Sequence, residues 1–441
     1  MYQTTCVILK NKQHNLIQYC DEMTSLAKLF KNSVIFRCRQ LLTAKNKNFT
    51  NLTQNEQQVL DEFKLTEDKF KPISDKYYLP SYYHFVHLFT ITNNVDYYNN
   101  LPMQSSQQII KECLSDFKSY YNALKDYTKH LNKYTGKPKL PGYIKNNKTS
   151  FDITNQDCVI KENNTLKFPK IKELLSLGNL NINKLKEVTI KPFYDTYKIC
   201  IVYEQEFTPK QLDETRILGI DLGVNNIVAT SNNCGLTPFV INGNGLKSFN
   251  QWFNKTKASL QSKLPKNQYT SKRLEQLYKY RSCRTIDFYN KVASYVVKYC
   301  ISNNIGTIVI GQNTQWKTSI NIGKTNNQTF CYIAHSTLIN KINQLSEKVG
   351  LIVMQTEESY TSKASFLDND SIPIYKENET TIYHFSGKRI HRGIYKSKEG
   401  IYINADINGA SNIIRKCVPL AFSQITDYSY LYRSVDKIII I

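Results

Sequence analysis

Ile217-Leu218-Gly219-Ile220-Asp221-Leu222-Gly223 decides the fold. Four uncharged residues run into an aspartate and then a glycine, the form of a buried strand that stops at a turn. A carboxylate placed there stands at the carboxyl edge of a sheet, where α/β proteins gather their ligands. Downstream, residues 227–231 and 237–243 read as two further strands, with Asn-Gly turn signals between and after them. A long helix is expected from near Ser271. Its later part sets Phe288, Val292, Val296 and Cys300 at four-residue steps, and its earlier part carries Lys272, Arg273, Lys279, Arg281 and Arg284. Thr307-Ile308-Val309-Ile310 is a short, fully apolar strand of the parallel, doubly covered kind. A helix around 332–347, a strand at Leu351–Met354 and a last helix opening near Asp406 or Asn408 complete the α/β pattern.

Upstream, the chain changes character. The first half reads as helical, basic and rich in Tyr. Ser105-x-x-Gln108 has the form of a capping box, followed at helical spacing by Ile110, Leu114, Phe117, Tyr121 and Leu124. Lys111, Lys118 and Lys125 recur every seventh residue on another face. Such a stripe suits a phosphate backbone without reading bases; an ordinary solvated helix face has the same form. Gly136-Lys137-Pro138-Lys139-Leu140-Pro141-Gly142-Tyr143 ends the helical region, and it lacks the spacing of a phosphate-binding P-loop. Residues 150–205 read as short strands, among them 150–153, 166–171 and 197–204. His84 and His87 form an HxxH without matching partners and read as core or surface histidines.

Composition narrows the function classes. The 441 residues include 58 Lys and Arg against 36 Asp and Glu, a formal net charge of +22. With 12% aromatic residues, that surplus points to a polyanionic partner, nucleic acid before any other. No apolar run is long enough for a membrane helix, and the first residues lack the apolar core of a signal peptide. An intracellular protein is expected. The 11 cysteines make no CxxC pair, so neither a disulfide framework nor a zinc ribbon is expected.

Three carboxylate positions point to one site. Asp221 ends its strand. Glu357 and Glu358 follow the strand that begins at Leu351. Asp406 lies in Asn404-Ala405-Asp406-Ile407-Asn408-Gly409-Ala410, whose small residues allow a helix to approach a sheet closely. Carboxylates from separate elements make an oxygen-ligand set for Mg²⁺, and a pair of such ions is a known device for phosphodiester hydrolysis.

Gly219-Ile220-Asp221-Leu222-Gly223-Val224-Asn225-Asn226 resembles the first RuvC motif of the TnpB family, transposon-encoded RNA-guided nucleases related to Fanzor proteins and type V CRISPR effectors. Asn404–Ala410 resembles their third motif. Residues 358–366, 385–389 and 136–143 also look like TnpB segments. The resemblance is specific in the second half and looser before residue 100. It implies an α/β RuvC-like (RNase H-like) nuclease domain over 211–441, a β-rich wedge domain from 1–10 with 136–210, and a helical recognition domain over 11–135. It further implies an RNA-guided DNA endonuclease using Asp221, Glu358 and Asp406 as catalytic Mg²⁺ ligands for two ions. A guide RNA and double-stranded DNA with a short adjacent motif are the implied partners. The implied address is the prokaryotic cytoplasm or, in a eukaryotic or viral host, the nucleus.

Two departures stand out. The usual second-motif glutamate would follow Ile310, where this chain has Gly311-Gln312; Glu358 matches a rearranged arrangement, with Glu357 as the alternative. The zinc ribbon of many relatives is missing, and a basic loop, Lys388-Arg389-Ile390-His391-Arg392, fills its place. Arg273, Arg281, Arg284, Lys137, Lys139, Lys317, Lys363, Lys388, Arg389 and Arg392 are candidate nucleic-acid contacts, with Tyr120, Tyr121 and Trp316 as stacking candidates. Two rival functions stay open: an RNA-guided binding protein without cleavage, and a guide-free transposase or resolvase of the RNase H-like kind.

Overall fold

The structure, a computed structural model, describes all residues except 46, 74–78, 181, 313–333, 376–380, 392 and 441. The chain falls into two compact units, Met1–Glu206 and Phe207–Ile441. No described helix is long and apolar enough to cross a membrane, and no disulfide joins the described cysteines.

The first unit opens with β1 (Tyr2–Ile8), followed by α1 (His14–Ala44), α2 (Gln54–Lys64), α3 (Tyr82–Ile91) and α4 (Met103–Lys129). Then come β2 (Phe151–Thr154), the small meander β3 (Val159–Lys161), β4 (Thr165–Lys167) and β5 (Leu174–Ser176), and the long hairpin β6 (Lys184–Phe193) and β7 (Thr196–Glu204). An antiparallel sheet of order β1-β7-β6-β2 shares one core with the helices, in which Phe30, Phe89 and Phe117 join Phe151, Ile190 and Ile199. Capping boxes start α2, at Thr53 and Glu56, and α3, at Ser81 and His84. The box expected at Ser105 does not form. Pro102, with φ of −56°, starts α4 three residues earlier. Ser105 and Ser106 are therefore buried in its first turn, and their hydroxyls have no hydrogen-bond partner among the described residues.

The second unit contains β8 (Asp213–Asp221), β9 (Asn226–Asn232), β10 (Phe239–Asn242), α5 (Asn244–Gln261), α6 (Lys272–Ser302), β11 (Ile305–Gly311), α7 (His335–Val349) and β12 (Ile352–Thr356). They are followed by β13 (Lys388–His391), β14 (Ile394–Lys396), β15 (Tyr402–Asn404), α8 (Ala405–Cys417), α9 (Tyr430–Arg433) and β16 (Asp436–Ile438). The main sheet has the order β12-β11-β8-β9-β10-β16. β8, β9 and β10 pair antiparallel, and β11 lies parallel between β8 and β12. This is the RNase H-like order, with the first, fourth and fifth strands side by side.

Strand alternation divides the core into two layers. Leu218, Ile220, Ile308 and Ile310 pack with α6 and α7 on one face, while Ile217 and Val309 pack with Ile413 and Ile414 of α8 on the other. Asp221 has the parity of Ile217 and Gly219, so it belongs to the α8 face. Gly219 makes the close approach of that helix possible: a Cβ there would stand 2.6 Å from the carbonyl oxygen of Ala410 and 2.4 Å from Cγ1 of Ile414.

Two elements differ from the sequence reading. α5 was not anticipated, because Asn, Gly and Ser dilute its start, yet Leu246, Phe249 and Phe253 form its buried stripe. Residues 388–391 form a strand rather than a loop. Gly393, at φ of 98°, makes the turn that pairs them with β14. Gly219→Ala is expected to destabilise the protein by about 1–3 kcal/mol through overpacking against backbone, measured as a lower midpoint in chemical denaturation.

Candidate active site

Asp221 closes β8, and its carboxylate rests against the opening of α8. A Cβ on Gly409 would stand 2.8 Å from Oδ2 of Asp221, so only glycine leaves the carboxylate its space. Asp406 sits in the first turn of the same helix, where the helix dipole favours an acid. Asn404 caps that turn, its Oδ1 accepting from the backbone N–H groups of Asp406, at 2.9 Å, and Ile407, at 3.3 Å. Nδ2 of Asn226 donates to Oδ2 of Asp406 at 2.8 Å, and Arg389, carried by β13, stands 3.6 Å from its Oδ1. From the sequence, Asn226 has no assigned role, although it lies in the same motif as Asp221, and Arg389 is a candidate nucleic-acid contact rather than a partner of Asp406.

The third acid arrives from β12. Gly311 pairs with Thr356 at the end of the sheet, and a Cβ on Gly311 would stand 3.0 Å from Oε2 of Glu358. The carboxylate of Glu358 thus lies beside the place where the fourth strand lacks a side chain. Glu357 is committed elsewhere: its Oε2 accepts from Lys416 at 2.5 Å, and its Oε1 accepts from the N–H of Ser359 at 2.7 Å. α8 also holds the segment that follows. Asn408 donates to the carbonyl of Ala364 and accepts from the N–H of Phe366, and Asn412 donates to the carbonyls of Thr361 and Ala364. One helix therefore supplies Asp406, leaves space for Asp221 and anchors the chain beyond Glu358.

The electrostatics express this crowding. Part of Asp221 stays accessible, but desolvation raises its pKa to about 8, helped by repulsion from Glu358 and Asp406 and opposed by Arg389. Glu358 is raised to about 7, first by desolvation and then by Glu357, against the attraction of Lys416. Among the described residues no three acidic, His or Cys side chains stand close enough together to hold an ion as placed. The donor chemistry fits a hard divalent cation all the same: the three groups offer only oxygen, and two of them lack sufficient positive charge to ionise readily. Beside Asp406 lies a cavity of about 470 Å³, lined by Asn225, Asn226, Asn242, Arg389, Asp406 and Lys437 among others.

The remaining candidates are dispersed. Lys118, Lys125, Lys137 and Lys139 are exposed, and Lys111 lies 5.0 Å from the centroid of the Tyr82 ring. Tyr120 and Tyr121 are half-buried and pack edge to face. Arg273, Lys363 and Lys388 are exposed. Arg281 donates through Nε to Oδ1 of Asn250 at 3.0 Å, and Arg284 donates to the hydroxyl of Tyr280 at 3.1 Å. Trp316, Lys317 and Arg392 lie outside the described residues. His84 serves its helix cap, and His87 pairs with Asp68.

Residues 200–317 match the OrfB_IS605 family, described as a probable transposase, in agreement with the TnpB resemblance of the motifs. No curated protein matches the chain. Among solved structures, a Cas12f1–sgRNA–target DNA complex is similar at 14% identity, over 90% of this chain and 82% of that one, with a TM-score of 0.49. The RNA-guided endonuclease Cas_phi3 is similar at 10% identity, over 95% and 92%, with a TM-score of 0.46.

Because the folded protein holds a proton on Asp221 that the unfolded chain releases near pH 4, ionised Asp221 costs stability increasingly as pH rises toward about 8. Asp221→Asn is therefore expected to raise the melting temperature of the metal-free protein by several degrees at about pH 8. The gain should fade toward pH 4 in thermal scans across that range.

Proposed function

We propose that this chain, which resembles the TnpB family, is an RNA-guided DNA endonuclease that hydrolyses phosphodiester bonds at Asp221, Glu358 and Asp406 with divalent cations, Mg²⁺ first among them. The observation that carries this reading is the convergence of the three acids at the carboxyl end of an RNase H-like sheet. The glutamate comes from the fifth strand, beside Gly311 of the fourth.

Bound at these carboxylates, divalent cations supply charge neutralisation and activation of water for attack on phosphorus. The residues of the chain do the rest. Asn404 and Asn226 orient Asp406. Asn408 and Asn412 hold the segment beyond Glu358. Arg389 offers a guanidinium beside the acids that a phosphate of the substrate strand can take over from Asp406, the kind of paired contact guanidinium makes well. Asp221 and Glu358 ionise fully once positive charge arrives, which couples cation binding to proton release.

The surplus of 22 positive charges supports a nucleic-acid partner. In this reading a guide RNA supplies the target sequence by base pairing, and the protein reads only a short motif beside it. Protein purified from cells is expected to carry one discrete RNA and to cut a matching DNA only with Mg²⁺. Equal cutting after RNase treatment would point instead to a guide-free RNase H-like enzyme, and RNA-directed binding without cutting to a regulatory protein. Glu358→Gln should depress cleavage by more than the roughly 10–100-fold typical of an outer-sphere partner, whereas Glu357→Gln should cost far less. Single-turnover cleavage of a labelled target measures both.

A further inference from the structure

We infer that α5 and the first half of α6 form a stacking shelf for single-stranded DNA, with Trp252 and Tyr280 receiving bases and the surrounding cations holding the backbone. Residues 244–284 contain ten lysines and arginines and a single acid, Glu275. The fold gathers aromatic rings from both helices within that field. Trp252 is 46% exposed and Tyr280 49% exposed. The indole lies stacked on buried Phe249, with centroids 5.6 Å apart and planes at 22°, and Tyr280 meets both rings edge-on. Arg284 locks the group from the side: its guanidinium lies 4.5 Å from the centroid of Phe249, and it donates to the Tyr280 hydroxyl. The rings are thus fixed before any ligand arrives, so little ordering is left to oppose binding.

An exposed aromatic face among cations suits a strand with unstacked bases, since every base offers a π-face, whereas a duplex hides its faces within the stack. The choice of DNA follows from where the shelf begins and rests on the proposed nuclease reading. Asn242, immediately before α5, lines the cavity beside Asp406. Lys247 in the first turns of α5 donates to Oδ1 of Asn225, another residue of that cavity, at 3.3 Å. Trp252 follows Lys247 by roughly 8 Å along the helix. The five residues also turn the helix by roughly 140°, so a strand that leaves the cavity and wraps around α5 meets the indole. The shelf therefore takes the strand that is to be cut.

The test is equilibrium binding of the full-length protein to labelled oligo(dT) and oligo(rU) of about 15 nucleotides, in chelator, so that no cleavage contributes. Trp252→Ala is expected to weaken oligo(dT) binding about tenfold, with Trp252→Phe retaining most of the affinity and oligo(rU) losing no more than oligo(dT). Unaltered oligo(dT) affinity in Trp252→Ala and Tyr280→Ala overturns the shelf, and a larger loss for oligo(rU) than for oligo(dT) overturns its assignment to DNA. If Trp252→Ala does not fold, quenching of Trp252 fluorescence by oligo(dT) in the Trp316→Phe protein decides the matter, unchanged emission at saturation refuting the proposal. An inactive nuclease with intact, Trp252-dependent binding would remove the proposed catalysis and leave the shelf standing.

Discussion

The close approach of α8 to β8 is the constraint on which the site depends. Gly219 has no side chain to hold the helix off the strand, and Gly409 has none to displace the carboxylate of Asp221. Once that contact is made, one rigid helix sets the position of Asp406 through its first turn and reaches the chain beyond Glu358 through Asn408 and Asn412. The acids do not attract each other: burial, with repulsion from Glu358 and Asp406, raises the pKa of Asp221, and burial, with repulsion from Glu357, raises that of Glu358. Apolar packing of Val309, Ile413 and Ile414 on the same face as the glycines provides the force that holds them.

The rearranged glutamate has a simple steric logic. In parallel strands, Gly311 and Thr356 stand side by side, about one strand spacing apart. An acid on the fourth strand would point directly toward the α8 face. Here that position is a glycine, and the carboxylate of Glu358 reaches in from two residues past the fifth strand. Any side chain at 311 would meet both Glu358 and Ile413, so the glycine and the displaced acid form one arrangement rather than two independent changes.

Lys416 separates the roles of the adjacent glutamates. Its ammonium, itself nearly buried, takes Glu357 together with the carbonyls of Ser359 and Pro373. Glu357 thereby becomes part of the structure that positions its neighbour. The positive charge beside Asp406 is supplied differently, by Arg389 on a strand of a separate small sheet. A cation carried on an exposed hairpin is easier to exchange for a substrate phosphate than one buried in the helix layer.

Much of this was legible in the chain. Apolar runs of strand length, the helix start near Ser271 and the spacing of Phe288, Val292, Val296 and Cys300 follow from local physics, because burial of one face imposes its period on the residues that make it. The glycines and acids of the two motifs could likewise be read as neighbours of a sheet edge. What the chain could not express was choice among equivalent local options. Whether Glu357 or Glu358 turns toward Asp221 depends on Lys416, 59 residues beyond the glutamate it holds; the start of α4 depends on Pro102 rather than on Ser105; and α5 has a polar surface whose helicity is secured by packing Leu246 and Phe249 into the core beneath the sheet and Phe253 on Tyr278 of α6. Local preference sets which elements form, but a side chain's partner is decided by long-range packing, and that exists only in the folded molecule.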